Sequence, residues 1–77
     1  MATKPLSELT PKDKGRIVKV GGKGGIYRRV LDMGVVSGTQ IEVLRVAPLG
    51  DPIEVKLKGY NLTLRKAEAA NIQVEVS

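Results

Sequence analysis

The chain has no cysteine, histidine, tryptophan or phenylalanine, and its only aromatic side chains are Tyr27 and Tyr60. Without cysteine there is no disulfide and no thiolate site of the kind that fastens many small domains. The same absence fits a reducing compartment. With histidine missing as well, zinc, copper and most ferrous sites lose their preferred ligands. The eight Asp and Glu residues are scattered, with no DxDxDG calcium loop among them. The usual general base and thiol nucleophile of enzymes are also gone, and Ser7, Ser37 and Ser77 stand in turn or terminal contexts. No catalytic residue, resident metal, cofactor or small-molecule substrate is expected.

Scarce aromatics bear on binding. Small barrels that take RNA or single strands combine a basic groove with stacking platforms, and grooves for proline-rich peptides are lined by aromatic rings. Two tyrosines are too few for either, and Tyr27 is expected to pack against the body of the domain. Long apolar runs are missing too: nothing approaches the roughly 18 consecutive apolar residues of a membrane span, and the first residues carry no apolar signal core. A cytoplasmic protein is expected.

What is present is an aliphatic core. Hydrophobic residues make up 42% of the 77, mostly Val, Ile and Leu, enough for one ordered domain over residues 1–77. Thirteen Lys and Arg against eight Asp and Glu leave a net charge of +5. Such an excess favours an acidic partner, whether nucleic acid, an anionic leaflet or a protein surface, or else serves solubility.

Short strands separated by turn signals run through the sequence. Leu6 and Leu9 are apolar anchors ahead of a turn at Thr10–Gly15, and Arg16–Val20 is a β-branched strand. Gln40–Ala47 is a strand whose alternation slips between Val43 and Leu44, the mark of a bulge. A loop bounded by Pro48 and Pro52 follows. Ile53, Val55 and Leu57 then alternate with Glu54, Lys56 and Lys58, as in a half-buried strand. Leu62 and Leu64 continue the pattern after a tight connection near Gly59 and Tyr60. Lys66–Ala70 has the composition of one helical turn, and Ile72, Val74 and Val76 form a closing strand. About five strands and one or two short helices predict an all-β fold, a sandwich or small barrel curled to protect its edges.

Between the first two of these strands lies the glycine-rich stretch GGKGGI of residues 21–26. It matches neither a P-loop, since no Ser or Thr follows Lys23, nor a dinucleotide fingerprint, whose third glycine is missing. It reads as a turn using positive φ angles, leading into a helix from Ile26 to Met33. Ile26, Val30 and Met33 fall on one face with Tyr27 and Leu31 beside them, and Arg28, Arg29 and Asp32 on the other side. Gly34 is placed for a left-handed helix stop, with Val35 packing back on Val30 as in a Schellman motif. Lys23, Arg28 and Arg29 make a local basic knob.

Together these segments resemble the FeoA family, the ferrous iron transport protein A domain. The resemblance is carried by Gly15-Arg16-Ile17-Val18, by residues 28–39 (RRVLDMGVVSGT), by Pro48-Leu49-Gly50-Asp51-Pro52, and by Leu62-Thr63-Leu64-Arg65 with Glu68-Ala69. Ser37 stands where that family's turn usually has proline, which is expected to loosen the turn. The resemblance implies an SH3-like β-barrel and a cytoplasmic accessory to the FeoB ferrous iron permease, which carries a GTP-binding domain. A similar domain closes iron-dependent repressors of the DtxR type, attached there to a DNA-binding domain absent from these residues.

On this reading Lys23, Tyr27, Arg28 and Arg29 present a docking edge to the permease, with peripheral contact to the inner membrane surface. Replacing Arg28 and Arg29 by alanine is expected to weaken docking and leave the fold intact. Two further classes stay open: a basic nucleic-acid-binding barrel and a weak transition-metal-binding protein.

Overall fold

The computed structural model describes residues 2–22 and 24–77. Six strands form a single antiparallel sheet: β1 (Thr3–Pro5), β2 (Lys14–Val20), β3 (Gln40–Val46), β4 (Ile53–Leu57), β5 (Tyr60–Leu64) and β6 (Ile72–Val76). Helix α1 (Gly25–Asp32) lies between β2 and β3, and the single turn α2 (Lys66–Ala69) between β5 and β6. The strand order is β1-β6-β2-β3-β4-β5, so β2 to β5 form a meander and β6 returns to insert between β1 and β2. The sheet curls around its own core: buried side chains from β2 to β6 join one cluster, and the molecule is nearly as deep as it is wide, 29 × 26 × 24 Å.

One strand more is present than the sequence suggests. β1 pairs Thr3 with Glu75 and Pro5 with Gln73, but its three residues are exposed or half-buried and carry no apolar alternation. Proline is tolerated there because β1 is an edge strand. The next residues turn in a short 3-10 segment that drives Leu6 into the core, fully buried, with Leu9 4% exposed.

The inner faces of the strands supply the core: Ile17, Ile41, Val43, Ile53, Val55, Leu57, Leu64, Ile72 and Val74 are all buried. The expected slip in β3 is real, with the pairing to β4 shifting register between Val43 and Arg45. A second shift, not signalled by the sequence, lies in β2 between Ile17 and Lys19. There the carbonyl of Val18 accepts a hydrogen bond from the Ser37 hydroxyl at 3.0 Å. The turn at Ser37 is therefore tied to the bulge rather than loosened.

At Thr10–Asp13 the chain reverses into β2. Asp13 Oδ2 accepts hydrogen bonds from the Thr10 backbone N–H at 2.8 Å and the Thr10 hydroxyl at 3.0 Å. These bonds, the backbone one foremost, hold its carboxyl below the usual aspartate range. In the unfolded chain Asp13 takes up its proton first as pH falls, near pH 4. Its contribution is therefore complete above that pH and is lost as pH drops through the lower, folded value. Asp13→Asn should flatten this part of the acid limb in urea melts collected between pH 5 and pH 2, relative to the unaltered chain. Parallel acid limbs for the two proteins would exclude this role.

Candidate functional site

Helix α1 is too short to persist alone, and three attachments hold it. The first is Val30, fully buried. The second is its C-terminus. Val35 N–H donates to the Val30 carbonyl at 3.2 Å and Gly34 N–H to the Leu31 carbonyl at 2.9 Å, the two bonds of a Schellman motif. Gly34 takes φ +86°, and any Cβ there would also strike the Tyr60 hydroxyl. That hydroxyl donates to the Met33 carbonyl at 2.9 Å, satisfying a helix-end acceptor. Tyr60→Phe should therefore lower stability by about 1 kcal/mol in denaturant titration, and no change would mean that water replaces the hydroxyl without loss.

The third attachment is ionic. Arg29 Nε lies 3.0 Å from Glu68 Oε2, with the Glu68 side chain 5% exposed and that of Arg29 55% exposed. The other oxygen of Glu68 accepts the Arg65 backbone N–H at 2.9 Å, at the start of α2. Glu68 is the buried charged side chain of the described residues, and both its oxygens are occupied. Asp51 adds a second tie to α2 by accepting the Lys66 N–H at 3.1 Å, which anchors the β3–β4 hairpin.

Held on these three points, α1 leaves the side that carries Tyr27 and Arg28 open, and its first turn as well. Ile26 is 37% and Tyr27 41% exposed, so Tyr27 does not pack into the barrel as expected from the sequence. Arg28 is exposed, and no ion pair joins it to Asp32 among the described residues. Gly24, Tyr27, Arg28, Leu31 and Asp32 line a shallow cleft of about 350 Å³.

The four residues expected to form a docking edge thus separate. Tyr27 and Arg28 meet at this cleft, Arg29 turns to Glu68, and Lys23 lies outside the described residues. Sequence reasoning missed Leu31 as part of the cleft, and Ile26, on the face of Val30, is 37% exposed. That reasoning also missed Leu49, 92% exposed at the tip of the β3–β4 hairpin.

The glycine stretch reaches positive φ at Gly22 and Gly24 (+110° and +54°), as a turn requires. No three His, Cys, Asp or Glu among the described residues stand close enough to share a cation. No helix among them is long and apolar enough to cross a membrane.

The FeoA domain model matches residues 4–76. A fusion of Fe(2+) transport protein A with the Fe(2+) transporter FeoB from Porphyromonas gingivalis is 45% identical over 71 residues, covering 92% of this chain and 8% of the fusion. The chain thus spans under a tenth of that curated relative. The NMR structure of a FeoA-like protein from Clostridium acetobutylicum superposes with a TM-score of 0.89 at 41% identity, covering 99% of this chain and 88% of that one.

The zinc complex of FeoA from Stenotrophomonas maltophilia superposes with a TM-score of 0.78 at 26% identity over 97% and 91% of the two chains. That protein is described as a prokaryotic SH3 domain protein possibly acting as a ferrous iron transport activating factor. This chain has no histidine or cysteine, the side chains that zinc sites most often use. The curled six-stranded sheet is accordingly an SH3-like barrel, and the chain belongs to the FeoA family.

Proposed function

We propose that this chain is a cytoplasmic accessory protein of ferrous iron uptake that acts by binding a FeoB-type permease, and that it neither carries iron nor catalyses a reaction. The observation that carries this reading is the fusion: a domain 45% identical to this chain is covalently joined to a FeoB transporter. Joining two partners in one chain replaces a bimolecular encounter by an intramolecular one, with effective concentrations up to the millimolar range. Contact with the permease then needs an interface on the surface of this domain, with or without such a tether.

The open face of α1 supplies such an interface. Tyr27 is a rigid amphipathic side chain of the type that dominates binding energy, and Leu31 beside it in the cleft extends its apolar surface. Arg28, in no ion pair among the described residues, offers its guanidinium to a carboxylate of the partner. Arg29 borders this surface and fixes the helix that carries it. Iron is the cargo of the permease, reached through its conformation rather than through ligands on this chain.

Tyr27→Ala should weaken binding to the permease's soluble GTP-binding region about tenfold, measured by calorimetric or NMR titration, with an unchanged far-UV spectrum. Unchanged affinity would remove the α1 face as the docking site. Failure of the unaltered chain to bind at all would remove the proposed function.

A further inference from the structure

The positive charge of this protein is not spread evenly among its contacts. The three ion pairs among the described residues engage Arg16, Arg29 and Arg45, with Glu75, Glu68 and Glu54 respectively. None of the described lysines takes part in one.

Three of these lysines, Lys14, Lys56 and Lys58, line a single open hollow of about 200 Å³ on the outer face of the sheet. Strand register brings them there. Lys14 of β2 stands opposite Glu42 of β3, and Glu42 opposite Lys56 of β4, in one cross-strand row. Lys58 follows directly on β4. Glu42 is half-buried and is the one carboxylate lining the hollow, against three lysines. The apolar floor, Ile41 and Leu57, is closed off at 3% exposure each.

We infer that this lysine-lined hollow docks the protein on the anionic phospholipid headgroups of the membrane that holds its transporter, an inference that rests on the proposed function. Charge and shape both select this occupant. No aromatic side chain lines the hollow, so nucleic-acid bases find no stacking platform. No exposed apolar anchor stands there either, whereas shaped protein interfaces concentrate their energy on such anchors. Lysines on flexible stems suit a laterally mobile sheet of phosphates, which asks for charge and no fixed geometry. A protein bound to an integral membrane permease near the leaflet also comes within reach of a surface potential that decays over about 10 Å.

The test is co-sedimentation of the full chain with vesicles of phosphatidylcholine, with and without phosphatidylglycerol. Binding should require phosphatidylglycerol and fall as salt is raised. Each of Lys14→Gln, Lys56→Gln and Lys58→Gln should weaken partitioning about fivefold, and the triple variant about a hundredfold. A control triple variant of equal net charge, Lys4→Gln, Lys19→Gln and Lys66→Gln, should retain most of the binding.

Equal loss in the two triple variants would overturn the site, because net charge alone would then account for binding. So would an unaltered chain that ignores phosphatidylglycerol. If instead the first triple variant binds vesicles normally but loses the permease's soluble region in lipid-free solution, the hollow serves an acidic protein surface and the lipid assignment falls. The lipid-free titration of the unaltered chain tests the partner separately: its failure removes the permease reading and leaves the vesicle measurement standing.

Discussion

Gly15→Val should lower unfolding stability by about 3 kcal/mol, at the upper end of what overpacking a core costs. Gly15 is buried in β2 where that strand crosses β6, opposite Val76. Any Cβ at this position would meet the carbonyl oxygen of Glu75 and a methyl of Val74. A flexible side chain would yield by changing rotamer, but the backbone of β6 is held in register on both sides, by β1 and by β2. Moving it means parting the strands that close the curl. For a domain of this size the loss corresponds to roughly 12–24 °C in melting temperature.

The matched control is Gly25→Ala, where an added Cβ meets nothing within 4 Å. Gly25 is the first residue of α1, and alanine there should raise stability by about 0.5 kcal/mol by narrowing the unfolded ensemble. Opposite signs in thermal melts of Gly15→Ala and Gly25→Ala would confirm that the difference lies in the strand crossing. A loss common to both would point to glycine content alone.

What could be read from the sequence follows how local each feature is. The alternation of Ile53, Val55 and Leu57 is fixed by the pleat of one strand, and all three are buried as expected. The stop at Gly34 depends on residues within two turns of it, and its two hydrogen bonds formed as read. The slip at Val43 is equally local. β1 was hidden because its pairing comes entirely from β6, at the other end of the described chain, and Thr3–Pro5 carry no pattern of their own.

The α1 face was misassigned for a different reason. Ile26, Tyr27, Val30, Leu31 and Met33 spread over nearly half of the helix circumference at about 100° per residue, too wide an arc for periodicity to select which of them faces inward. Only Val30 is fully buried, because so short a helix touches the barrel over a single turn. The lysine hollow and the partner of Arg29 depend on segments that the sheet brings together from distant stretches, and no spacing rule joins Lys14 to Lys56 or Arg29 to Glu68.

That last pair separates two arginines which look equivalent in the sequence. Arg29→Ala should lower stability by about 2–3 kcal/mol, because it strips a charge-assisted hydrogen bond from a buried carboxylate. The value falls below the 3–5 kcal/mol of fully enclosed pairs since the arginine side chain is itself 55% exposed. Arg28→Ala should change stability by no more than about 0.5 kcal/mol, as an exposed side chain in no ion pair among the described residues does, while weakening association with the permease. The joint replacement expected from the sequence to spare the fold should therefore destabilise it.

Arg29→Lys keeps the charge without the planar fork and should fall between the two alanine variants. A double-mutant cycle of Arg29→Ala with Glu68→Ala should return a coupling of about 1–2 kcal/mol, within the range for residues in direct contact. This assigns Arg29 a positioning role: it holds the helix at the angle that presents Tyr27 and Arg28. Melting curves that coincide for the Arg28 and Arg29 alanine variants would overturn that role and return Arg29 to the partner-binding surface.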